Sequence, residues 1–491
     1  MRQGAVITNC GSLPLAEVPL LTRTEFGRFV AGSVSGGSRI SALFACDAPG
    51  GLTVYAVLAE DSTGQISVAS TKPSGGMESI VPECPQAHLF EREMSEEYGI
   101  GFRGHPWMKP VRFLSGGPAS ASAYDFFRIG GEEVHEVAVG PVHAGIIEPG
   151  HFRFQCHGET VHHLEIALGY QHRGIAKALR GRPDRRRTML VEAIAGDTSV
   201  GHATAYCSAL EALCGTDVPA RAQVLRGVAL ELERMANHIG DLGALAGDVA
   251  FLPTMSFCGR IRGDVLNITA AMCGNRFGRG LVAPGGLSRD IDSEVAGSMS
   301  SALAKAVSEA EEAVSLLWDT PSVLSRFEGT GTVTRSLASA IGLVGPAARA
   351  SGLEIDSRRD FPGGIYRMSH IPLSVWDSGD VFSRALVRWM ECQRSAAFVR
   401  EQLASLPGGP VSAPMADLPR NRITVSITEG WRGEICHVLL SDDRGGILEC
   451  RTVDPSFHNW FGLACAMRGG QISDFPLCNK SFNLSYCGHD L

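Results

Sequence analysis

Hydrophobic and polar positions alternate with a period of two in the first part of the chain and with a helical period further on. In residues 40–45 and 52–58, hydrophobic and polar side chains alternate, and Gly-rich turns flank both segments, which predicts antiparallel strands. Residues 21–30 predict a helix. We therefore expect residues 1–125 to form a small α+β module built on an antiparallel sheet.

The pattern changes in the second part of the chain. An alternating strand pair around His157, Gly158 and Glu159 leads into long segments rich in Ala and Gly that repeat with a helical period. Small residues let helix axes approach, so these segments suit a closely packed bundle. The predicted helices span residues 189–213, 220–246, 257–273, 290–317 and 381–406. A strand-rich tail over residues 423–451 then returns the chain toward the core.

Residues 114–137 are rich in Gly, Ser and Ala and then become acidic, which is typical of a linker. We place the first module at 1–125, the linker at 126–138 and the second domain at 139–491. The predicted fold class is α+β: a small N-terminal α+β sheet module followed by a large, mainly α-helical bundle domain with peripheral β-hairpins.

Amino-acid composition limits the classes of molecule that the protein is expected to bind. The 491 residues carry a net charge of −8, whereas phosphate binding needs concentrated Lys and Arg, so a general nucleic-acid binder is excluded. The basic stretch RGRPDRRR at 180–187 is either a solvated loop or a docking edge for an acidic partner. No apolar run approaches the roughly 18–20 residues that span a bilayer, so other subunits would have to hold the protein at a membrane.

The number and spacing of cysteines and histidines indicate whether disulfides or a metal site are expected. None of the 14 cysteines are spaced as CxxC and no secretory signal follows Met1, which favours a reducing compartment over a disulfide framework. Several histidines fall between His143 and His172, and His202 follows. Imidazole is a common metal ligand, but carboxylate and thiolate companions are poorly placed for a metal site here.

Three motifs resemble a known family. They are the stretch 139–154, GYQHRG at 169–174, and ELER at 231–234 with Asn237 and His238. They resemble the large subunit of the nickel–iron hydrogenase and complex I superfamily, most closely its membrane-bound, energy-converting hydrogenase-related branch. FERE, YGI and GHPW before KPVRF at 109–113 are similar to the close of the complex I 30-kDa subunit. The resemblance implies a fused 30-kDa/49-kDa-type chain whose first module is a scaffold.

In the nickel–iron enzymes two CxxC pairs supply the four soft thiolates that the metals need. The resemblance aligns these ligand positions with Ala195, Thr198, Ser485 and Gly488, so the nickel-ligand cysteines are missing. A nickel–iron centre on this chain is therefore not expected. Cys207 and Cys487 lie near the two motifs but out of register, and rescue by these thiols is the alternative.

The stretch EGWRGE at 429–434 resembles the family's Glu-Ala-Pro-Arg-Gly turn, whose Glu and Arg face the reaction centre. The resemblance gives Glu429 and Arg432 catalytic roles. A buried Glu relays protons and a buried Arg orients an anionic group, provided that each is desolvated and paired. A structural ion pair at a domain seam is the equal alternative.

Complex I places a quinone headgroup in the same cavity, between a His and a Tyr. The resemblance aligns the His with Ile147 and the Tyr with Gly196, so this pair is not intact. His143 and His151 flank Ile147 on the same loop and are the candidate proton-handling histidines. A quinone is a possible ligand on fold analogy alone.

The stretch NRFGRG at 275–280 resembles a family loop at the interface with the iron–sulfur small subunit. The resemblance makes Arg276, together with His172 and Arg173, candidate cofactor-binding residues on that side, although the family's following Glu is Ala176 here. Guanidinium groups suit such interfaces because they are planar and permanently charged. Surface arginines of no special role are the alternative.

The resemblance implies a large subunit of a membrane-associated, complex I-like or hydrogenase-related oxidoreductase that takes part in electron transfer coupled to proton or ion movement. Iron–sulfur clusters would lie on partner subunits: a small subunit like the complex I 20-kDa subunit, a ferredoxin-like subunit and a membrane anchor. The chain would lie peripherally on the cytoplasmic side of the cell membrane. No fingerprint marks it as the subunit that binds NADH. The alternatives are a non-catalytic scaffold and a true hydrogenase with unconventional ligands.

Overall fold

The computed structural model describes residues 4–48, 50–114, 124–143 and 147–491. Its first part is built on a sheet in which the long antiparallel strands β4, β5 and β6 are neighbours and β6 also pairs with β1 and β3. The strands are β1 Ala5–Thr8, β2 Ser12–Pro14, β3 Leu20–Leu21, β4 Arg39–Ala48, β5 Gly51–Glu60, β6 Gln65–Thr71, β7 Met77–Glu78 and β8 Phe102–Arg103. The predicted antiparallel sheet is confirmed.

Two helices accompany this sheet: α1 is Arg23–Ser35 and α2 is His88–Tyr98. Helix α1 confirms the helix predicted over residues 21–30. It begins where a capping box satisfies its first backbone donors: Thr22 Oγ1 accepts from the Glu25 backbone N–H, and the Glu25 carboxylate accepts from the Thr22 backbone N–H.

The linker-like stretch 114–137 lies partly outside the described residues, which omit 115–123, whereas the linker placed at 126–138 lies within them. Within the described part, Val134–Val139 forms strand β9, which pairs with β10 (His151–His157). Strand β10 in turn pairs with β11 (Thr160–Ala167), as the alternating pattern around Gly158 predicts. The three Val residues of VHEVAV give the end of the linker segment a strand preference of its own. The domain boundaries stay a prediction.

The large second part is mainly helical, as predicted. Its long helices are α5 Ser199–Cys214, α6 Ala220–Asp248, α7 Leu252–Cys273, α8 Ser293–Trp318 and α13 Val381–Ala404. The shorter helices are α3 Ile175–Ala178, α4 Arg185–Glu192, α9 Pro321–Phe327, α10 Arg335–Ile341, α11 Gly345–Arg349, α12 Ser357–Asp360, α14 Pro455–Ala466, α15 Phe475–Phe482 and α16 Tyr486–Asp490. The short strands β12 Val282–Ala283 and β13 Gly286–Leu287 pair with each other.

One predicted helix is wrong. The segment 189–213 forms two helices, α4 and α5, separated by the stretch 193–198. The carbonyl groups of Ala193 and Ile194 accept hydrogen bonds from the Arg173 guanidinium, and the N–H groups of Val200 and Gly201 donate to the Glu233 carboxylate. Side chains from elsewhere thus satisfy the backbone groups at the break.

The tail forms strands β14 Arg422–Gly430, β15 Gly433–Ser441 and β16 Ile447–Val453, confirming the strand-rich tail. Strand β14 pairs with β2 of the first module, so the two ends of the sequence share one sheet. Buried side chains of this tail, such as Val425 and Ile427, join the core of the first module, while the helices have a second core of their own. Strands β14 and β15 also contact helix α5 of the bundle.

Candidate functional site

The four aligned ligand positions are all buried, and they lie on two segments. Ala195 and Thr198 belong to the break before α5, and Ser485 and Gly488 belong to the start of α16. Arg432, on the turn between β14 and β15, connects the two segments. We call the residues at and around these four positions the ligand-position region.

Arg432 binds both segments directly. Its guanidinium donates to the two carboxylate oxygens of Asp197 at 2.6 and 2.8 Å, to Thr198 Oγ1 at 3.2 Å and to the Asn483 carbonyl at 2.5 Å. The guanidinium holds the pKa of Asp197 below its usual value, although desolvation opposes this. Arg432 is therefore desolvated and paired, as the predicted role requires. The anion that it binds in this structure is the Asp197 carboxylate.

Trp431 fills the space beside the first ligand pair. Its indole is fully buried, and its Nε1–H donates to the Asp197 carbonyl at 2.9 Å and to Thr198 Oγ1 at 3.1 Å. The Arg432 guanidinium stacks 3.9 Å from the centre of the indole ring. The side chain at one ligand position is thus engaged by two donors from the same turn.

Asp454 takes the space at the last ligand position. A Cβ atom placed on Gly488 would lie 2.7 Å from both Cγ and Oδ2 of Asp454, so a side chain there would collide with this carboxylate. Ser485 is used in another way: its Oγ accepts the Gly488 N–H at 2.9 Å and caps α16. Both positions serve internal packing and hydrogen bonding.

Asp454 belongs to a buried cluster with two histidines. His202 Nε2 lies 3.0 Å from Asp454 Oδ2, and His202 Nδ1 lies 3.2 Å from His437 Nε2. The hydrogen bond from His202 holds the pKa of Asp454 below its usual value against the effect of burial, while burial, with the neighbouring His202, places the pKa of His437 well below its usual value. The cluster connects the ligand-position region to the tail sheet.

Glu429 points away from Arg432 into a second polar region. Its Oε1 accepts from Arg349 Nη1 at 2.8 Å and its Oε2 accepts from the Ser357 N–H at 3.1 Å. Burial raises the pKa of Glu429 above its usual value, against the attraction of Arg349. The structure therefore places the two predicted catalytic residues of this turn in separate surroundings.

The second region, which we call the arginine network, is a fully buried set of ion pairs. Arg349 also binds Glu391, whose Oε2 lies 2.8 Å from His238 Nε2, and Arg234 binds Glu231 and the carbonyl groups of residues 429 and 430. Its members are Glu231, Arg234, His238, Arg349, Asp356, Arg358, Glu391 and Glu429. Arg234 thus holds the turn that carries Trp431 and Arg432.

The two candidate proton-handling histidines lie near each other: His143 precedes β10, and His151 is the first residue of that strand. His143 Nε2 is 2.9 Å from the Gly150 carbonyl, and His151 Nδ1 is 3.1 Å from the Gly140 carbonyl. Burial lowers the pKa of His151. Ile147 is exposed and apolar, and Gly196 offers only backbone atoms, so the two positions aligned with the quinone-binding pair lack the side-chain donors of that pair.

The three candidate cofactor-binding residues are not brought together as a single site. Arg173 donates to the carbonyl groups of Ala193, Ile194 and Cys487, and so ties the helix break to α16. His172 Nδ1 lies 2.9 Å from the Asp490 carbonyl. Arg276 is exposed on the loop after α7. Their role toward a cofactor stays a prediction.

The donor set at the ligand positions does not fit a nickel–iron centre, because a methyl group, two hydroxyl groups and a glycine supply no thiolate. Burial raises the pKa of the Cys207 thiol, and it raises that of Cys487 to about 11. Cys487 Sγ lies 3.3 Å from Ser485 Oγ. Among the described residues, no group of three or more His, Cys, Asp or Glu side chains is arranged to hold a metal ion.

Sequence reasoning missed the residues that fill this region. Trp431, Asp454 and His437 lie far from the aligned ligand positions in sequence, and only folding brings them there. Only Trp431 could have been noticed from the sequence, because it replaces the Pro of the family's Glu-Ala-Pro-Arg-Gly turn. Glu233, which accepts from the first N–H groups of α5, lies inside the ELER motif, but its carboxylate has no distinguishing sequence feature.

Comparisons with known proteins agree with this architecture. Residues 27–117 match the family described as respiratory-chain NADH dehydrogenase, 30 Kd subunit, and residues 248–424 match the 49 Kd subunit family. The carbon monoxide-induced hydrogenase of Rhodospirillum rubrum is 33% identical over 353 residues, covering 71% of this chain and 97% of that protein.

Two further relatives cover much of the chain. Formate hydrogenlyase subunit 5 of Escherichia coli is 29% identical over 481 residues, 92% of this chain and 84% of that protein. NADH-quinone oxidoreductase subunit 4 of Thermus thermophilus is 27% identical over 369 residues, 70% of this chain and 90% of that protein. The chain is an oxidoreductase-complex subunit of the hydrogenase and complex I type, and it belongs to the family of the complex I 49-kDa subunit and the related hydrogenase large subunits, with a 30-kDa-type module ahead of it.

Proposed function

We propose that this chain is the large subunit of a membrane-associated complex in which electron transfer is coupled to proton or ion movement, without a conventional nickel–iron centre. The observation that carries the proposal is the state of the ligand-position region. Its Thr198 is bound by Trp431 and Arg432, and the space at Gly488 is taken by Asp454, inside an otherwise intact family fold.

The proposal assigns redox centres to partners. Iron–sulfur clusters would lie on a small subunit and a ferredoxin-like subunit, and a membrane anchor would hold the complex on the cytoplasmic side of the membrane. The relatives named for NADH-quinone oxidoreductase and for hydrogenases support such an assembly. Among the described residues, no helix is long and apolar enough to cross a membrane.

This chain's own residues would handle protons. Glu429 is buried with a raised pKa, and the rings of His143 and His151 lie within hydrogen-bond distance of the Gly150 and Gly140 carbonyl groups, respectively. Protonation of these groups would follow reduction of an acceptor nearby. Arg432 would hold the Asp197 carboxylate and the chain at Asn483 in place while charge changes around them.

The test is purification of the tagged native complex from its own membranes. We expect an iron–sulfur subunit and an integral membrane protein to co-purify with this chain, together with electron transfer from a reduced donor to a dye. Comparing ubiquinone and menaquinone analogues with soluble acceptors then identifies the acceptor. A chain that purifies alone from intact membranes would exclude the proposal.

A scaffold without chemistry is the second candidate, and it is favoured by the tight pairing of Arg432 with Asp197 and Trp431. It predicts that Glu429→Gln and Arg432→Ala change the amount of complex but not its turnover. The electron-transfer proposal predicts lower turnover at normal abundance. Arg335→Ala is the matched control, because Arg335 is exposed and forms no ion pair with a described residue.

A further inference from the structure

A large cleft lies beside the helix break and has no role in the proposed function. Its volume is about 1530 Å³, and its walls come from the start of α4, the loop after α7, residues 415–420 and the turn 442–446. Pockets for one small molecule usually measure about 300–1,000 Å³. The cleft is therefore large enough for an extended polypeptide segment.

The unpaired charge in this cleft is positive. Four exposed arginines on its walls form neither an ion pair nor a side-chain hydrogen bond with a described residue. They are Arg185, Arg289, Arg420 and Arg444. They come from separate segments, so their charges are spread along the cleft. This is notable in a chain whose net charge is −8.

The acidic residues of the cleft are mostly engaged. Asp184 binds Arg187 at 2.8 Å, and Asp442 accepts the backbone N–H groups of residues 444 and 446, each at 2.8 Å. Glu192 accepts the Gly280 N–H at 2.6 Å. The remaining acidic residue, Asp417, forms a long ion pair of 3.9 Å with Arg182, and both side chains are exposed. These carboxylates leave the four arginines available to an incoming anion.

We propose that this cleft binds an acidic segment of another subunit of the complex. Guanidinium groups pair with carboxylates through two parallel hydrogen bonds, so arginines spread along a recess suit a chain of Asp and Glu side chains. A bilayer surface is too flat to reach into a recess, and the acidic net charge disfavours nucleic acid. This inference rests on the proposed function, because it requires a complex of several subunits.

The bound segment would lie next to the ligand-position region. Arg279 also lines the cleft, and its Nη2–H donates to the Gly196 carbonyl at 3.5 Å, inside the break between α4 and α5. A segment in the cleft therefore lies against the stretch that carries Ala195 and Thr198. Its docking would connect assembly of the complex to the conformation of that stretch.

The first experiment is cross-linking within the purified native complex. A photoreactive benzoylphenylalanine replaces Met415, which lines the cleft. We expect one cross-linked product that maps to an Asp- and Glu-rich stretch of a co-purifying subunit. A cross-link to a lipid or to a segment without acidic residues, or no cross-link at all, would overturn the proposal.

The second experiment reverses charge. The triple variant Arg289→Glu, Arg420→Glu and Arg444→Glu is compared with Arg335→Glu, Arg400→Glu and Arg468→Glu, which changes net charge equally at exposed arginines outside the cleft that form no ion pair with described residues. We expect at least a tenfold loss of the cross-linked subunit from the cleft variant, and retention in the control. Equal retention in both would contradict the proposal.

Salt separates the inference from a folding defect and from failure of the proposed function. Ion pairs between exposed groups weaken as salt rises, so the native complex should release this subunit at lower salt when Arg420→Glu alone is present. Release at unchanged salt would count against the cleft. If the native chain carries neither an iron–sulfur nor a membrane subunit, the proposed function itself fails.

Discussion

The two polar regions on either side of the turn between β14 and β15 satisfy their buried polar groups in different ways. In the arginine network every buried carboxylate meets a guanidinium, as Glu391 meets Arg349 and Glu231 meets Arg358. In the ligand-position region an indole and one carboxylate fill space around hydroxyl groups and a glycine. The network is a set of mutually dependent charges, whereas the ligand-position region combines one ion pair, between Arg432 and Asp197, with close packing and single hydrogen bonds.

This difference indicates which buried residues can be substituted at a smaller cost in stability. A buried charge pair is costly to break, because the remaining charge has lost its partner. Neutral packing can be altered more cheaply, one group at a time. We infer that the arginine network fixes the turn, and that the ligand-position region on its other side is free to hold different chemistry in different members of the family.

The largest effect is expected in the arginine network. Arg349→Met leaves Glu391 and Glu429 without their shared guanidinium, and we expect the free energy of unfolding to fall by about 3–5 kcal/mol. Urea unfolding of the full chain measures this. Arg335→Met, at an exposed unpaired arginine, is the control and should change the value by less than about 0.5 kcal/mol. A similar small change for Arg349→Met would mean that the network is not mutually dependent.

Restoring a ligand cysteine should be the next most costly change. Gly488→Cys places its Cβ against the Asp454 carboxylate, and we expect a loss of about 1–3 kcal/mol from overpacking. The control is Gly297→Cys, because a Cβ at this helical glycine meets open space. Adding Asp454→Ser to Gly488→Cys should cost less than the sum of the two single changes. Strict additivity would show that the two positions do not compete for the same space.

Glu233 gives a pH test of the region. Burial raises its pKa to about 8, and within the described part of the chain its carboxylate accepts hydrogen bonds from backbone N–H groups alone. An unfolded Glu titrates near 4.3, so the folded state holds the proton more tightly and stability falls as pH rises from about 5 to about 8. Relative to Glu233→Gln, the native chain should lose up to about 1.4 kcal/mol per pH unit in this window. Parallel stability curves for the two proteins would contradict this.

The smallest effect is expected at Ser485. Its Oγ caps α16 by accepting the Gly488 N–H, so Ser485→Ala should cost about 1 kcal/mol. Ser315→Ala, at an exposed serine on α8, is the control and should stay within about 0.5 kcal/mol. Thermal unfolding of both variants measures the difference. A loss of 3 kcal/mol or more would place Ser485 in a charge network like that of Arg349.

The spacing of apolar residues was enough to predict the helices and strands that bury one continuous face. The strands of the first sheet, helix α6 and helix α13 follow the predicted ranges closely, because each repeats its apolar positions over many residues. The break between α4 and α5 could not be predicted this way. Ala, Gly and Thr at 195–198 are compatible with a helix, and the interruption depends on Arg173 and Glu233, which contact the segment from elsewhere.

The candidate site shows the same limit. The resemblance implied four ligand positions, and in the structure these residues lie on two segments that Arg432 connects. Alignment also paired Glu429 with Arg432, but successive positions around a strand and its turn point in different directions, and the two side chains enter separate regions. His202 and Asp454 lie 252 positions apart, and only the tertiary fold shows that they form a buried pair.

The most direct test of the account is the nickel and iron content, per mole of this chain, of the detergent-solubilised native complex. The account predicts iron from partner clusters and no stoichiometric nickel, because Trp431, Arg432 and Asp454 fill the ligand-position region and no thiolate stands at its four positions. One nickel per chain, with hydrogen-dependent dye reduction that scales with it, would contradict the account and direct mutagenesis to Cys207 and Cys487.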